Sequence, residues 1–206
     1  MPKEKTPATK PRIPKPPKTP SVDALITAVP FLNLPASAPP DELWKAASVF
    51  LSHFDNEAVK RFGKIQAVYY AGQLREARDF TKQAIASFVW TPGPFRFPSE
   101  LAFKGWQDDV GSLRFNVRLD FSSQTVERYP EFPAPGRWGE LMTMLRALLM
   151  FLVLDAAQDE VLSLYLGYCR KCGKVFEKTR GDQEYCSKAC KSATTQKRYD
   201  DKQRRS

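Results

Sequence analysis

Four cysteines stand together as Cys169-x2-Cys172-x13-Cys186-x3-Cys190, and the chain has no others. Two short-spaced pairs separated by a loop are what a tetrahedral metal site needs. Each pair bends the backbone into a knuckle, and the stretch between them brings both pairs around one ion. Thiolate-only ligation selects zinc. Four protein ligands leave no open position for water or substrate, so the expected role is one structural zinc ion and not a catalytic one. Metal binding there would supply folding energy to a segment with few apolar residues of its own. Two other chemistries use the same residues. Disulfides belong to secreted chains, and the opening MPKEKTPATK has no apolar run behind its positive charges. An iron–sulfur cluster takes the same four thiolates. Spacing and compartment together favour zinc.

The residues between and beyond the cysteines must position them. Gly173, just after the first pair, supplies the positive φ that a knuckle requires. Val175 and Phe176 give a hairpin an apolar side to pack beneath the metal, and Gly181-Asp182 offers a turn. Cys186 and Cys190, four apart, are expected on one face of a first helical turn, where the helix N-terminus favours the thiolate. Knuckle, hairpin and a helix bearing the last two ligands make a treble-clef zinc finger. Further along that helix, Lys191, Arg198, Lys202 and Arg205 are 7, 4 and 3 residues apart, which superposes them on one face, with Lys188 and Thr195 near the same stripe. Lys188, Lys191, Arg198, Lys202 and Arg205 are therefore the candidate nucleic-acid-binding residues, since a rigid cationic helix suits a groove bordered by phosphates. The plainer alternative is a solvated helix whose charges serve solubility, partly offset by Asp200 and Asp201.

These residues resemble a known family. The Cys-x2-Cys-Gly-x-x-Phe start, the Tyr185-Cys186-Ser187 run and Lys197-Arg198-Tyr199 followed by Arg204 are similar to the CGNR-type zinc finger. That finger closes a group of bacterial proteins described as stress-induced transcription regulators, whose helix-rich N-terminal part is called the ABATE domain. The resemblance covers roughly Tyr165–Arg205. Over Asp41–Leu164 its main echoes are Leu74-Arg75-Glu76-Ala77 and the late buried helix. It implies DNA binding and a body that senses a ligand or dimerises. The expected location is the cytoplasm, with nucleoid association if the protein is bacterial. After the last ligand the family has Gly-Asn-Arg, whereas here Cys190 is followed by Lys191-Ser192-Ala193, so any contact made by those family residues is not carried over.

Charge is partitioned along the chain. The net charge is +9 over 206 residues. Residues 1–20 carry six Lys/Arg against Glu4, and residues 168–206 carry twelve against five acids, while the stretch between has fourteen bases and seventeen acids. A slightly acidic body with two basic ends is the asymmetry expected when the ends meet a polyanion. Seven prolines among lysines make 1–21 a disordered basic arm. Pro11, Pro14, Pro17 and Pro20 recur every third residue, so the arm is also a candidate polyproline ligand for a protein partner, against the plainer reading of a solubilising tail.

Residues 22–166 form the expected body and 167–206 the finger. Asp41 is placed to cap a helix over Glu42–Phe54 and Asn56 a second stretch, in which Ala58, Phe62, Ile65, Val68 and Tyr69 make the apolar stripe. Leu74, Ala77, Phe80 and Ala84 continue a third helix to about Phe88, and Gly72 should mark a break or bend between the two. Leu113 to Phe121 alternates with a period of two, a strand whose hairpin partner is expected near Leu101 and Phe103. Trp138 to Ala157 reads as a buried helix, and Leu162, Leu164 and Leu166 as a short strand leading into Cys169. The fold class is thus α+β: a mostly helical body with a small antiparallel element, plus the finger. The longest apolar run, Ala147 to Leu154, is far too short for a bilayer, so no membrane association is expected. His53 is the only histidine and no two glycines make a phosphate cradle, so no catalytic residues are assigned and an enzyme is not expected. Asp108-Asp109, Asp159-Glu160 and Asp200-Asp201 read as solvated pairs, and the four tryptophans as packing anchors. The expected function is that of a zinc-dependent DNA-binding transcriptional regulator. Its rival is an adaptor whose finger and Pro/Lys tail dock protein partners.

Overall fold

A computed structural model describes residues 17–62, 67–90, 113–120, 125–158 and 161–204. Residues 1–16 of the arm, Ile65, the expected strand partners Leu101 and Phe103, Trp106, the Asp108-Asp109 and Asp159-Glu160 pairs, and Arg205 lie outside them. The elements run α1 (Pro20–Leu32), α2 (Pro40–Lys60), α3 (Ala67–Trp90), β1 (Phe115–Asp120), β2 (Thr125–Pro130), α4 (Trp138–Gln158), the single turn α5 (Leu162–Tyr165), β3 (Leu166–Tyr168), β4 (Val175–Glu177) and α6 (Lys188–Gln203). Among the described residues the chain is mostly helical, with two separate two-stranded antiparallel sheets.

Helices α1 to α4 pack on one another around a single apolar core. Every third or fourth residue of α1 (Val22, Leu25, Ala28, Phe31, Leu32) is buried in it. The expected start of the body at Val22 moves forward, because Pro20 occupies the first helical position and the Thr19 hydroxyl accepts from the Val22 N–H at 3.4 Å. Ser21, assigned to the arm, is buried and its hydroxyl meets Asp155 of α4 at 2.5 Å. Trp138 anchors the other end of the core: Trp44, Phe62 and Tyr70 surround its ring with centroids at 4.7, 5.5 and 5.9 Å.

Several local expectations are corrected. Asp41 lies inside the first turn of α2, and Pro39 occupies the cap position without a side-chain bond. Within α2 the backbone breaks at Asp55 (φ −153°), whose carboxylate accepts from the Ala58 N–H at 2.8 Å, so Asp55 restarts the helix and Asn56 does not. Gly72 sits inside a continuous α3, where a helical glycine costs only about 1 kcal/mol. Ala58 and Phe62 are buried as expected, but Val68 and Tyr69 are 62% and 84% exposed. Strand β1 pairs with β2, from Phe115↔Pro130 to Asp120↔Thr125. Leu162 to Tyr165 form a helical turn, and only from Leu166 does the chain extend.

The hairpin β3–β4 is not set apart from the helices. Leu166, Val175 and Tyr165 belong to the same core cluster as α1 to α4, and the hairpin packs on α1 and α3. Among the described residues no helix is long and apolar enough to cross a membrane.

Candidate metal centre

The first cysteine pair sits in the turn of the β3–β4 hairpin. Leu166↔Glu177, Gly167↔Phe176 and Tyr168↔Val175 set its register. The Cys169 N–H donates to the Lys174 carbonyl at 2.8 Å, and the Gly173 N–H returns to the Cys169 carbonyl at 2.9 Å. Gly173 has φ +66°, as the knuckle requires, and a Cβ there would also stand 3.1 Å from the Tyr168 hydroxyl. Gly167 is needed for a different reason: the Phe176 ring lies across it, and a Cβ would fall 2.5 Å from Cζ.

The second pair is brought up by a loop that bonds to itself. Lys178 Nζ donates to the carbonyls of Ser163 at 2.8 Å and Gly181 at 3.1 Å. The Gln183 amide oxygen accepts from the Thr179 N–H at 2.9 Å, and its nitrogen donates to the Tyr185 carbonyl at 3.0 Å. Arg170 in the knuckle reaches Glu184 at 3.4 Å. Ser187 then caps α6, its hydroxyl accepting from the Cys190 N–H at 3.2 Å. Cys190 therefore lies in the first turn of α6 while Cys186 precedes the helix, which departs from the expectation that both ride on it.

The four Sγ atoms lie within 4.8 Å of one another. Cys172 and Cys186 are 3.6 Å apart, and Cys186 and Cys190 are 3.7 Å apart. A disulfide needs about 2.05 Å, and all four cysteines are free thiols. A tetrahedron of sulfurs about 2.3 Å from a metal has edges of about 3.8 Å, so the cluster has the dimensions for one metal ion. Cys169 is fully buried, Cys186 and Cys190 are half-buried and Cys172 is exposed. The protonation pattern is uneven. Burial raises the Cys169 thiol, but N–H groups of Cys186, Cys172 and Lys171 outweigh it and bring the pKa down to about 6. Burial first, then the thiols of Cys172, Cys169 and Cys190, push Cys186 up to about 12. Burial is also the main reason Cys172 is raised. All four sulfurs can be thiolates together only with a cation among them, and the cluster is placed to hold one.

Lys188 and Lys191 are exposed at the start of α6. With Arg180 and Asp182 they border an open cleft of about 560 Å³ between that helix and the 179–187 loop. Arg198 and Lys202 lie further along α6. At about 100° per residue, Lys191, Arg198 and Lys202 share a stripe, with Cys190 about 100° to one side. His53 is exposed, its ring edge-on to Phe54. Sequence reasoning missed the residues that join the hairpin to the body. Lys18 Nζ meets Glu177 of β4 at 2.7 Å and Asp23 at 3.6 Å, and stands 5.8 Å from the centre of the Tyr165 ring. Asn33 bonds both backbone groups of Val175. No signal near either residue in the sequence points to a partner so far along the chain. No family model matches the sequence, and no curated protein matches it.

Proposed function

We propose that this chain is a zinc-dependent DNA-binding protein that regulates transcription, with Cys169, Cys172, Cys186 and Cys190 holding one structural zinc and α6 as the element that meets DNA. The observation that carries the reading is the four-sulfur cluster at the root of a helix whose described side chains bury almost nothing. From Lys188 to Lys197 the described side chains of α6 are exposed, apart from half-buried Cys190 and Thr194. Such a helix gains little from packing on its own chain. It is held at one end by the ligands and exposes Lys188, Lys191 and Lys197, an arrangement that phosphates attract. The knuckle hairpin, the loop and the helix carrying the last ligand follow in treble-clef order. The resemblance of Tyr165–Arg205 to the CGNR-type finger supports the same reading, and thiolate-only donors support zinc. The role is binding and not catalysis, because four protein ligands leave the metal no open position.

Binding of the zinc-loaded protein to random-sequence duplex DNA at two salt concentrations tests it. The expected result is affinity that falls steeply with salt, by about 0.9 in log–log slope per phosphate neutralised. Absence of binding at low salt refutes the DNA reading and leaves an adaptor that docks proteins.

A further inference from the structure

The edge of β4 that faces away from β3 is where the helical body takes hold of the metal hairpin. Antiparallel ladders alternate between bonded and non-bonded pairs. Cys169 bonds Lys174 and Lys178 bonds Tyr165, so the intervening Tyr168/Val175 pair is non-bonded. The N–H and C=O of Val175 therefore point to the outer edge, at a residue only 1% exposed. Buried backbone groups need partners. One side chain supplies both: Asn33 Oδ1 accepts from the Val175 N–H at 2.9 Å, and Asn33 Nδ2 donates to its carbonyl at 2.6 Å. A carboxamide carries a donor and an acceptor side by side, so it stands in for the peptide of a third strand.

Asn33 is itself fixed. It caps the C-terminus of α1, its own N–H bonding the carbonyls of Val29 and Phe31. The turn after it is gripped from α3, where Arg78 Nη1 donates to the carbonyls of Leu34 at 3.2 Å and Pro35 at 2.9 Å. Arg75 Nη2 adds the carbonyl of Ala38 at 3.1 Å. A chain of hydrogen bonds thus runs from α3 through the α1–α2 turn and Asn33 to the strand that begins three residues after Cys172.

We propose that Asn33 is a positioning residue of the metal centre, holding the outer edge of β4 so that the knuckle presents Cys169 and Cys172 at ligand spacing. It ties the metal affinity of the site to the fold of the helical body. The inference rests on the four cysteines being the metal site and is independent of what α6 binds. Groups that orient metal ligands from outside the coordination shell are worth about 10- to 100-fold in affinity. Asn33 acts through the strand and not on a ligand directly, so the low end, about tenfold, is expected.

The test is a zinc competition titration of the full chain against a chromophoric chelator. Asn33→Ala removes both bonds. Asn33→Asp keeps the shape and the acceptor but sets an oxygen against the Val175 carbonyl. Both are expected to weaken zinc binding by about tenfold or more. Ser21→Ala is the control, because it loosens the other end of α1 from Asp155 without touching the hairpin. It should lower the melting temperature of the metal-free protein and leave zinc affinity unchanged. Asn33→Ser, which retains a single short polar group, reads the same quantity if Asn33→Ala folds poorly, with a loss of about threefold expected. Wild-type affinity in Asn33→Asp, or equal losses from Ser21→Ala and Asn33→Ala, overturns the proposal while the metal site stands. Wild-type protein that takes up no zinc overturns both.

Discussion

Replacing Cys186 by Ser should unfold α6 and leave the rest of the chain folded. The serine hydroxyl is a poor zinc ligand at neutral pH, and three thiolates do not close the tetrahedron. What remains for α6 is its own helix propensity and the Ser187 cap. An isolated helix of this size is marginal in water, and Thr194-Thr195 and Asp200-Asp201 weaken it, the latter as acids near a C-terminus. The hairpin has other support, because Leu166 and Val175 are at most 1% exposed within the common core. The size of the effect follows from element lengths. Among the described residues, helix α6 contributes 16 residues beside helices of 13, 21, 24, 21 and 4, so about one-sixth of their helical signal should disappear. Far-UV circular dichroism of zinc-loaded wild type against the variant measures it, and amide exchange locates it in 179–204. A variant that keeps its full ellipticity would mean that α6 does not depend on the metal. Loss of half or more would mean that the body does, and either result refutes the division of labour argued here.

Other perturbations reach different parts of the argument. Arg78 is 2% exposed and satisfies two turn carbonyls, so Arg78→Met should cost about 2–5 kcal/mol, read as a melting temperature lower by roughly 5–15 °C. Gly167→Ala drives a methyl into the Phe176 ring and should destabilise the hairpin by about 1–3 kcal/mol, with weaker zinc retention in the same chelator competition. Acid should strip the metal, because Cys172 and Cys186 hold their protons more tightly than free thiols do. Occupancy is thus complete at high pH and lost as pH falls, and zinc release followed across a pH series checks the sign. Arg198→Ala and Lys202→Ala should each reduce the salt slope of DNA binding by about one, with unchanged zinc content and a smaller effect from Lys171→Ala in the knuckle. Unchanged affinity in the Arg198→Ala/Lys202→Ala double variant would remove α6 as the DNA contact.

The four-cysteine cluster was legible because its signal is local and discrete: cysteine is rare here, and the spacing leaves few alternatives. Helix α4 was legible for a related reason, since a run as apolar as Leu141 to Val153 has to be buried. Short-range competition produced the misses. Asp55 and Asn56 are adjacent plausible caps, and only the backbone break at Asp55 shows which one restarts a helix. Gly72 reads as a breaker until the helix is seen to continue through it with open space beside it. Pro20 closes a proline-rich arm in the sequence yet opens α1, because proline at a first helical position sacrifices no hydrogen bond. Asn33 was out of reach altogether. Its local role, capping α1, accounts for it fully, and its second role is to a strand 142 residues later.

The same contrast bears on what α6 is for. A helix that is polar all round is normally supported by ion pairs, by a partner or not at all. Lys188 and Lys191 face a cleft whose other charged members are Arg180, Asp182 and Glu184, a nearly balanced lining that offers each lysine little net attraction. Tertiary packing does not explain the helix either, since its described side chains are mostly exposed. A metal bound at Cys190 would explain how α6 is aimed, but not why it continues for three further turns. A structural ion at the root of a solvent-facing cationic helix makes physical sense when the helix must arrive at a partner already formed, so that binding does not have to supply its ordering entropy. On that argument, zinc removal should weaken polyanion binding even though every lysine and arginine remains in the chain. Binding at low salt that is indifferent to zinc would mean that charge alone, without a formed helix, is what the partner meets.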